Sequence, residues 1–414
     1  MAMVSHRKYP VLFFLIGLTV TFNWLVIPIS GSSPRYTDMV ALLMLVVVLG
    51  KLLTERLTLF GLAAVPVAIC TLFWMISGAL TADMSLAIFG MRLFLSLTAF
   101  LLVAQKIVEH HCEAPFLWGI STGAMIVGII AMGQGTETIP LFNLFIPPGT
   151  DTWWGDGGRV RAVGIWQHPN SVGQVQALGA ACALSLTFMG PRIRLMAFVA
   201  FLVIVGTTYA GTLNRAMIIA CFVSGLVAVF GSRFKTLKTS GYVGGFFAVA
   251  LAPFFLKQVL GDRWFGSGQT PSASENGAER IETLFYSFEL VLEKPFGHGI
   301  IGSVEALIKA FGFSATHNSF VSIGLTLGLL PMITMIGMML HRLVKIATSR
   351  HYKYEAVPLT AIYVLFFFED SIFLPSMVSA FVIFTMWGQV IFIPAKAAAP
   401  PQKTPVLSPK PDAV

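Results

Sequence analysis

An all-α, polytopic transmembrane helical bundle of about twelve spans is the fold class this sequence predicts. Of 414 residues, 56% are hydrophobic and only 11% charged, whereas a soluble domain carries about 25% charged residues to cover its surface. Apolar runs that approach or exceed about 18 residues, enough to cross a bilayer as a helix, recur along the chain. Their period is helical; strands of a membrane barrel would alternate over segments of about ten residues.

The spans fall near 10–30, 36–53, 57–78, 84–105, 114–133, 169–189, 193–209, 212–231, 239–257, 317–340, 356–370 and 374–393. Arg7-Lys8 precedes the first run with no clear small-residue cleavage site, so that run is read as a retained span. Sidedness follows from the basic residues. With the N-terminus in the cytoplasm, most of the 27 lysines and arginines fall on inner connections, among them Lys51, Lys106, Arg194, Lys235 and Arg342, as the positive-inside rule requires. An even number of spans leaves both termini inside. The two long connections, 134–168 and 258–316, fall outside, and long loops in compact proteins carry function or are disordered. The outer loop 258–316 contains an amphipathic helix and opens with a Gly/Ser/Pro-rich stretch, 266–277, that reads as flexible. Residues 1–394 form one transmembrane domain, and the Pro/Ala/Lys-rich segment 395–414 a disordered cytoplasmic tail.

The net charge of +8 does not indicate nucleic acid, because the basic residues are scattered between apolar segments. Cys70, Cys112, Cys182 and Cys221 lack metal-ligand spacing and sit mostly in apolar runs, as small buried residues do. The sequence has no P-loop, zinc motif, paired-carboxylate metal site or serine-nucleophile motif, so neither a metal nor a cofactor is expected.

Polar residues with chemical potential gather on the outer face. Taken as a helix, 278–293 places Ile281, Leu284, Phe285, Phe288, Val291 and Leu292 on one face. Glu279, Glu282, Glu289 and Glu293 lie opposite, and Arg280 at the apolar edge. Such a helix lies on a membrane or docks on the bundle, and Arg280 either snorkels to lipid phosphates or binds substrate. Arg215 starts a span at the outer boundary, facing a cavity or anchoring at the interface. Arg92 lies within its span, lining the same cavity or pairing with a carboxylate. Arg161 opens a segment ending in His168-Pro-Asn170-Ser171, where Asn170 or Ser171 would cap the next span; His168 is either a loop residue or part of a site. His317 begins another span, with Thr316 or Asn318 as its cap. A helix start attracts anions and favours the neutral imidazole that a general base requires. His298, in Pro295-Phe-Gly-His-Gly299, is the rival base. Glu369 and Asp370 end the eleventh span, as a polar helix end or as partners for an arginine or sugar hydroxyls. Arginine forks bind phosphate oxygens in bidentate fashion. Several arginines and a histidine on one face therefore suggest displacement of a phosphorylated leaving group, driven by charge neutralisation and a base.

Arg161…Gly164…His168-Pro-Asn170, Arg215 at the start of the eighth span, Pro295-Phe-Gly-His-Gly299, and His317-Asn-Ser-Phe320 with Gly324…Gly328-Leu329 together resemble the bacterial O-antigen ligase and polysaccharide polymerase superfamily. The motifs cover roughly 160–345. The resemblance implies an inverting glycosyltransferase of the bacterial inner membrane, active on the periplasmic face. Its donor would be a glycan on undecaprenyl pyrophosphate. Its acceptor would be another lipid-linked repeat unit, for a polymerase, or a lipid A core sugar, for a ligase; the His-Pro-Asn sequence favours an exopolysaccharide polymerase. By the same resemblance Arg215 and Arg280 contact the pyrophosphate, His317 activates the acceptor hydroxyl, and Arg161 matches an arginine of the earlier motif. Asn214 stands where the family usually has serine. His168, Asn170, His298, Asn318, Glu369, Asp370 and Arg92 complete the expected substrate-binding set. Membrane lipids and other polysaccharide assembly proteins are the further partners expected. The rival class is a transporter of lipid-linked oligosaccharide or an anion. Against it stand the one-sided placement of the key residues and the lack, in the sequence, of paired broken helices or an inverted repeat.

Overall fold

The computed structural model describes residues 9–22, 76, 103–104, 106–108, 110–137, 139–146, 155–156, 159–165, 168–187, 191–212, 214–231, 273–312, 316–348, 355–369, 380 and 383–385. Of the expected spans, 36–53 and 239–257 lie outside these residues, and 57–78, 84–105 and 374–393 almost wholly so. Arg92, Asp370 and the segment 395–414 lie outside them as well.

The described chain is mainly helical. In order it forms α1 (Pro10–Thr21), α2 (Glu113–Gly135), a 3-10 turn (Pro140–Phe145), β1 (Gly155–Asp156), β2 (Arg159–Val160), α3 (Pro169–Leu186), α4 (Pro191–Thr212), α5 (Arg215–Gly231), α6 (Ala273–Glu293), α7 (Gly299–Phe311), α8 (Ser319–Leu327), α9 (Leu329–Thr348) and α10 (Ala356–Phe368). β1 and β2 pair antiparallel, Gly155 opposite Val160, a small addition to the expected all-helical pattern. Among the described residues, α2 and Ile193–Thr212 of α4 are long and apolar enough to cross a membrane.

Small residues set the helix crossings. A β-carbon on Gly17 would strike the Phe116 carbonyl of α2, and one on Gly119 the Phe14 carbonyl of α1. A β-carbon on Gly135 would come within 2.7 Å of the Gly211 carbonyl of α4. Such contacts let apolar helices approach closely enough for dispersion to hold them. α3 is the central helix, packed on α2, α4, α5 and α10. α10 carries the bundle on to α8, which is buried at each of its nine residues among α6, α7, α9 and α10. At the end of α9, Arg342 Nη2 donates to Glu355 Oε1 at 2.9 Å, a buried ion pair fastening α9 to the start of α10.

Three expectations need correction. The run 317–340 is not one helix: it breaks at Gly328, whose φ of +103° is a glycine conformation. The turn after α6 fills the break. Leu329 N donates to Pro295 O at 2.8 Å, and His298 N to Leu325 O at 2.6 Å, so both partners of the helix bond lost there, Leu329 N and Leu325 O, are satisfied within the protein. The stretch 266–277 is not all loop, because α6 already starts at Ala273. The expected apolar face of α6 also divides. Val291 turns into the core with Thr283, Ser287 and Leu290, while Ile281, Phe285, Phe288 and Leu292 remain exposed. The short Thr283 and Ser287 side chains let α6 settle against α8, and Val291 packs on Gly324 there.

Candidate functional site

The ends of α3, α4, α5, α8 and α10 meet on one side of the bundle. The segment leading into α3 is clamped first. Gln134 Oε1 accepts from Gly164 N at 2.8 Å, and its Nε2 donates to Gly164 O at 3.0 Å and Phe142 O at 2.9 Å. Ala162 N donates to Gly211 O at 2.8 Å. These bonds hold Arg161 against the end of α4, where its Nε donates to Thr212 O at 3.0 Å, one of the carbonyls a helix end leaves unpaired.

From Arg161 a polar chain crosses the bundle. Its Nη2 donates to Asn170 Oδ1 at 2.8 Å, and Asn214 Nδ2 approaches the same oxygen at 3.4 Å. Asn170 Nδ2 donates to Glu369 Oε2 at 3.2 Å. Glu369 Oε1 lies 3.8 Å from Arg280 Nη2, and Arg280 Nη1 donates to Phe368 O at 2.7 Å. Glu369 is 5% exposed, and its charge is balanced by Arg280. Ser319 Oγ donates to the Glu369 carbonyl at 2.8 Å, and Asn318 Nδ2 to Phe367 O at 3.3 Å, stitching the start of α8 to the end of α10.

Both histidines of this region are held at helix starts. His168, not Asn170 or Ser171, caps α3: its Nδ1 accepts from Asn170 N at 3.1 Å. That frees the Asn170 amide for the network. It also places the proton of the neutral His168 ring on Nε2. Burial, then the Arg161 charge, lowers the His168 pKa to about 4. At α8 the cap is Asn318, whose Oδ1 accepts from Phe320 N and Val321 N at 3.0 and 3.1 Å. Thr316 Oγ1 donates to Asn318 O and receives Asn318 N at 3.2 Å. Between these clamped neighbours His317 takes φ +54°, the left-handed region that costs a side-chain-bearing residue roughly 1 kcal/mol or more. Burial first, then Arg280 and then His168, lowers the His317 pKa to about 4. The ring is neutral chiefly because it is buried, rather than because it stands at a helix start.

The structure therefore brings together Arg161, His168, Asn170, Arg280, His317, Asn318 and Glu369. Arg215 is the first residue of α5, next to the Asn214 that joins this network. His298 is held elsewhere: its Nε2 meets Leu290 O at 3.0 Å, and since a carbonyl only accepts, this nitrogen donates. That bond and the one to Leu325 O make His298 a brace for the turn against α8. Sequence reasoning missed Gln134 and Ser319, which orient the site. It noted Asn214 without its role, although an asparagine immediately before a helix signals a cap, and its Oδ1 does accept from Met217 N at 3.0 Å.

No protein-family model matches this chain, and no curated protein matches it. The chemistry of the cluster is read from its own residues: two guanidinium groups, a buried carboxylate, and two imidazoles that are neutral at pH 7.

That neutrality predicts an acid response. Unfolded, both histidines would bind a proton below pH ~6.5; folded, each binds one only near pH 4. Their contribution to stability is thus complete above pH ~6.5, falls as the pH drops toward about 4, and changes no further below. Each contributes a slope of up to about 1.4 kcal/mol per pH unit. Melting temperatures between pH 7 and pH 4.5 should fall less steeply in His168→Gln and in His317→Asn than in the wild type. Parallel curves would show that the rings are protonated alike in both states.

Proposed function

We propose that the protein is a membrane glycosyltransferase that moves a glycan from a polyprenyl pyrophosphate carrier to a sugar hydroxyl during assembly of bacterial surface polysaccharide. The observation that supports this most is the convergence of Arg161, Arg280, His168, His317 and Glu369 on one end of a helical bundle. The N-termini of α3, α5 and α8 point to the same end, and helix N-termini add positive potential. A pyrophosphate there meets the excess positive charge that Arg280, Arg161 and the adjacent Arg215 leave over Glu369. Neutral His317 accepts the proton of the acceptor hydroxyl as its oxygen attacks the anomeric carbon. The anomeric carbon–oxygen bond breaks with inversion, and polyprenyl pyrophosphate leaves with the bonding pair. Glu369 keeps Arg280 and Asn170 in position.

The about twelve-span bundle, an inner-membrane location with both termini cytoplasmic, and a periplasmic active face belong to the same proposal. Supporting it, Lys106, Arg194 and Arg342 lie toward the end opposite the cluster, where the positive-inside rule places the cytoplasm. Leu195, Met196, Val199 and Leu202 of α4 are exposed and apolar, as a lipid-facing surface requires. The His-Pro-Asn sequence favours polymerisation of repeat units over ligation to lipid A core. A transport reading would draw on the break at Gly328, but that break is filled by the Pro295–His298 turn and its hydrogen bonds.

Purified protein in lipid nanodiscs, given lipid-linked repeat units extracted from a strain lacking it, should release undecaprenyl pyrophosphate and lengthen or transfer glycan without added nucleotide. Movement of intact lipid-linked glycan across the bilayer with no new bond would overturn the proposal.

A further inference from the structure

The face of α3 that carries Asn170 continues into the bundle. Residues 170, 174, 177, 181 and 184 recur at alternating spacings of four and three, which is one stripe of a helix. Contacts fix both ends of the stripe. Asn170 meets Glu369 and Asn214; Ala181, with Leu184 beside it, packs in one cluster with Ala228 of α5 and Val357 and Ala361 of α10. Gln174 therefore lies between α3, α5 and α10, four residues (about 6 Å) inward from Asn170. Helix side chains as a rule lean toward the N-terminus, which from position 174 is the direction of the cluster. It is 5% exposed, and its buried Oε1 has no hydrogen-bond partner. Proteins seldom bury an amide oxygen unpaired, and an exception calls for an explanation.

We infer that Gln174 is the innermost binding group of the site and accepts a hydrogen bond from a hydroxyl of the substrate sugar. The atom left empty is an acceptor, so it matches a proton donor. A phosphate oxygen has no proton to offer and would repel it, whereas a sugar hydroxyl donates. The inference rests on the glycosyl-transfer reading and adds a sugar subsite directly beneath the Arg161–Asn170–Glu369 network. Gln176 is an internal control. Its amide atoms are likewise buried without partners, but it lies beside Gly128 and Thr207, toward α2 and α4.

The test uses Gln174→Met and Gln176→Met, which preserve length and approximate volume, in the full chain in nanodiscs. The substrate is lipid-linked glycan extracted from a strain lacking the protein. Gln174→Met is expected to melt no lower than the wild type, because no internal bond is lost. Its KM for the extracted glycan should rise about tenfold or more, the scale of one lost hydrogen bond to a buried group. Gln176→Met should leave KM within about twofold, well short of that loss. An unchanged KM in Gln174→Met overturns the inference. So does a lower melting temperature, which would mean that the amide is bonded within the protein or to a trapped water. Absence of transfer by the wild type would instead remove the glycosyl-transfer reading itself, and the sugar subsite with it.

Discussion

Replacing Arg280 with alanine is expected to slow the proposed glycan transfer by about two to three orders of magnitude, the usual effect of removing one preorganised donor from a developing anion. Arg280 is set in advance by the end of α10: Nη1 is bonded to Phe368 O at 2.7 Å, and Nη2 faces Glu369 at 3.8 Å. A lysine there keeps the charge but cannot reach both groups with a planar fork. Arg280→Lys should therefore recover only part of the rate. The stability effect is smaller. The Arg280 side chain is 36% exposed, so the pair is screened on one side and its loss should cost only about 1 kcal/mol. Glu369 is the more sensitive partner, because it is nearly buried and also holds Asn170. The two residues share one interaction, so in a double-mutant cycle Glu369→Gln should destabilise less in the Arg280→Ala background than alone. Simple addition of the two effects would show that Arg280 is not the counter-charge of Glu369.

His317→Asn is expected to lower the transfer rate by about 10²–10⁴-fold, the range for loss of a general base, with little loss of folding stability at pH 7. Asparagine is the informative replacement because His317 sits at φ +54°, and asparagine enters the left-handed region more readily than most residues. Alanine would add backbone strain to the loss of the ring and confuse the two effects. The clamps on either side, through Thr316 and Asn318, do not involve the imidazole, so the helix start should survive. Rate measurements at saturating substrate, beside melting curves, separate the two roles. A full rate in His317→Asn would reduce His317 to a helix-start residue. His168→Gln should have the smaller effect, since the Nδ1 of His168 is engaged in capping α3.

Much of this site was legible as composition and order. An arginine at a helix start, a His-Pro-Asn turn and a His-Asn-Ser helix start are local signals, because capping and turn chemistry act between neighbours in the chain. The helix starts at 169, 215 and 319 were recoverable for that reason. Which member of His168-Pro-Asn170-Ser171 would do the capping was not: ring and amide are both acceptors, and only the pull of Arg161 and Glu369 on the Asn170 amide separates them. His298 and His317 looked alike in sequence, each lying near glycine or polar residues at a helix start. One rests against Leu290 O, and the other sits beside Arg280 and His168. The break at Gly328 had a local signal in Gly328 and Pro331, but hydropathy averaged over a window runs through it.

By itself the sequence determined the helical, largely apolar character of the described residues, because hydropathy acts on every residue whatever its partner. It also marked most of the residues that form the cluster. Tertiary structure alone decided which of them meet. The chain Arg161–Asn170–Glu369–Arg280 joins residues up to 208 positions apart, and no local preference encodes such a distance. The depth of His317, and hence its neutrality, is likewise set by what packs over it. The division of α6 into a buried and an exposed face depended on the close approach of α8, for the same physical reason: burial belongs to pairs of surfaces, and a sequence specifies only one surface at a time.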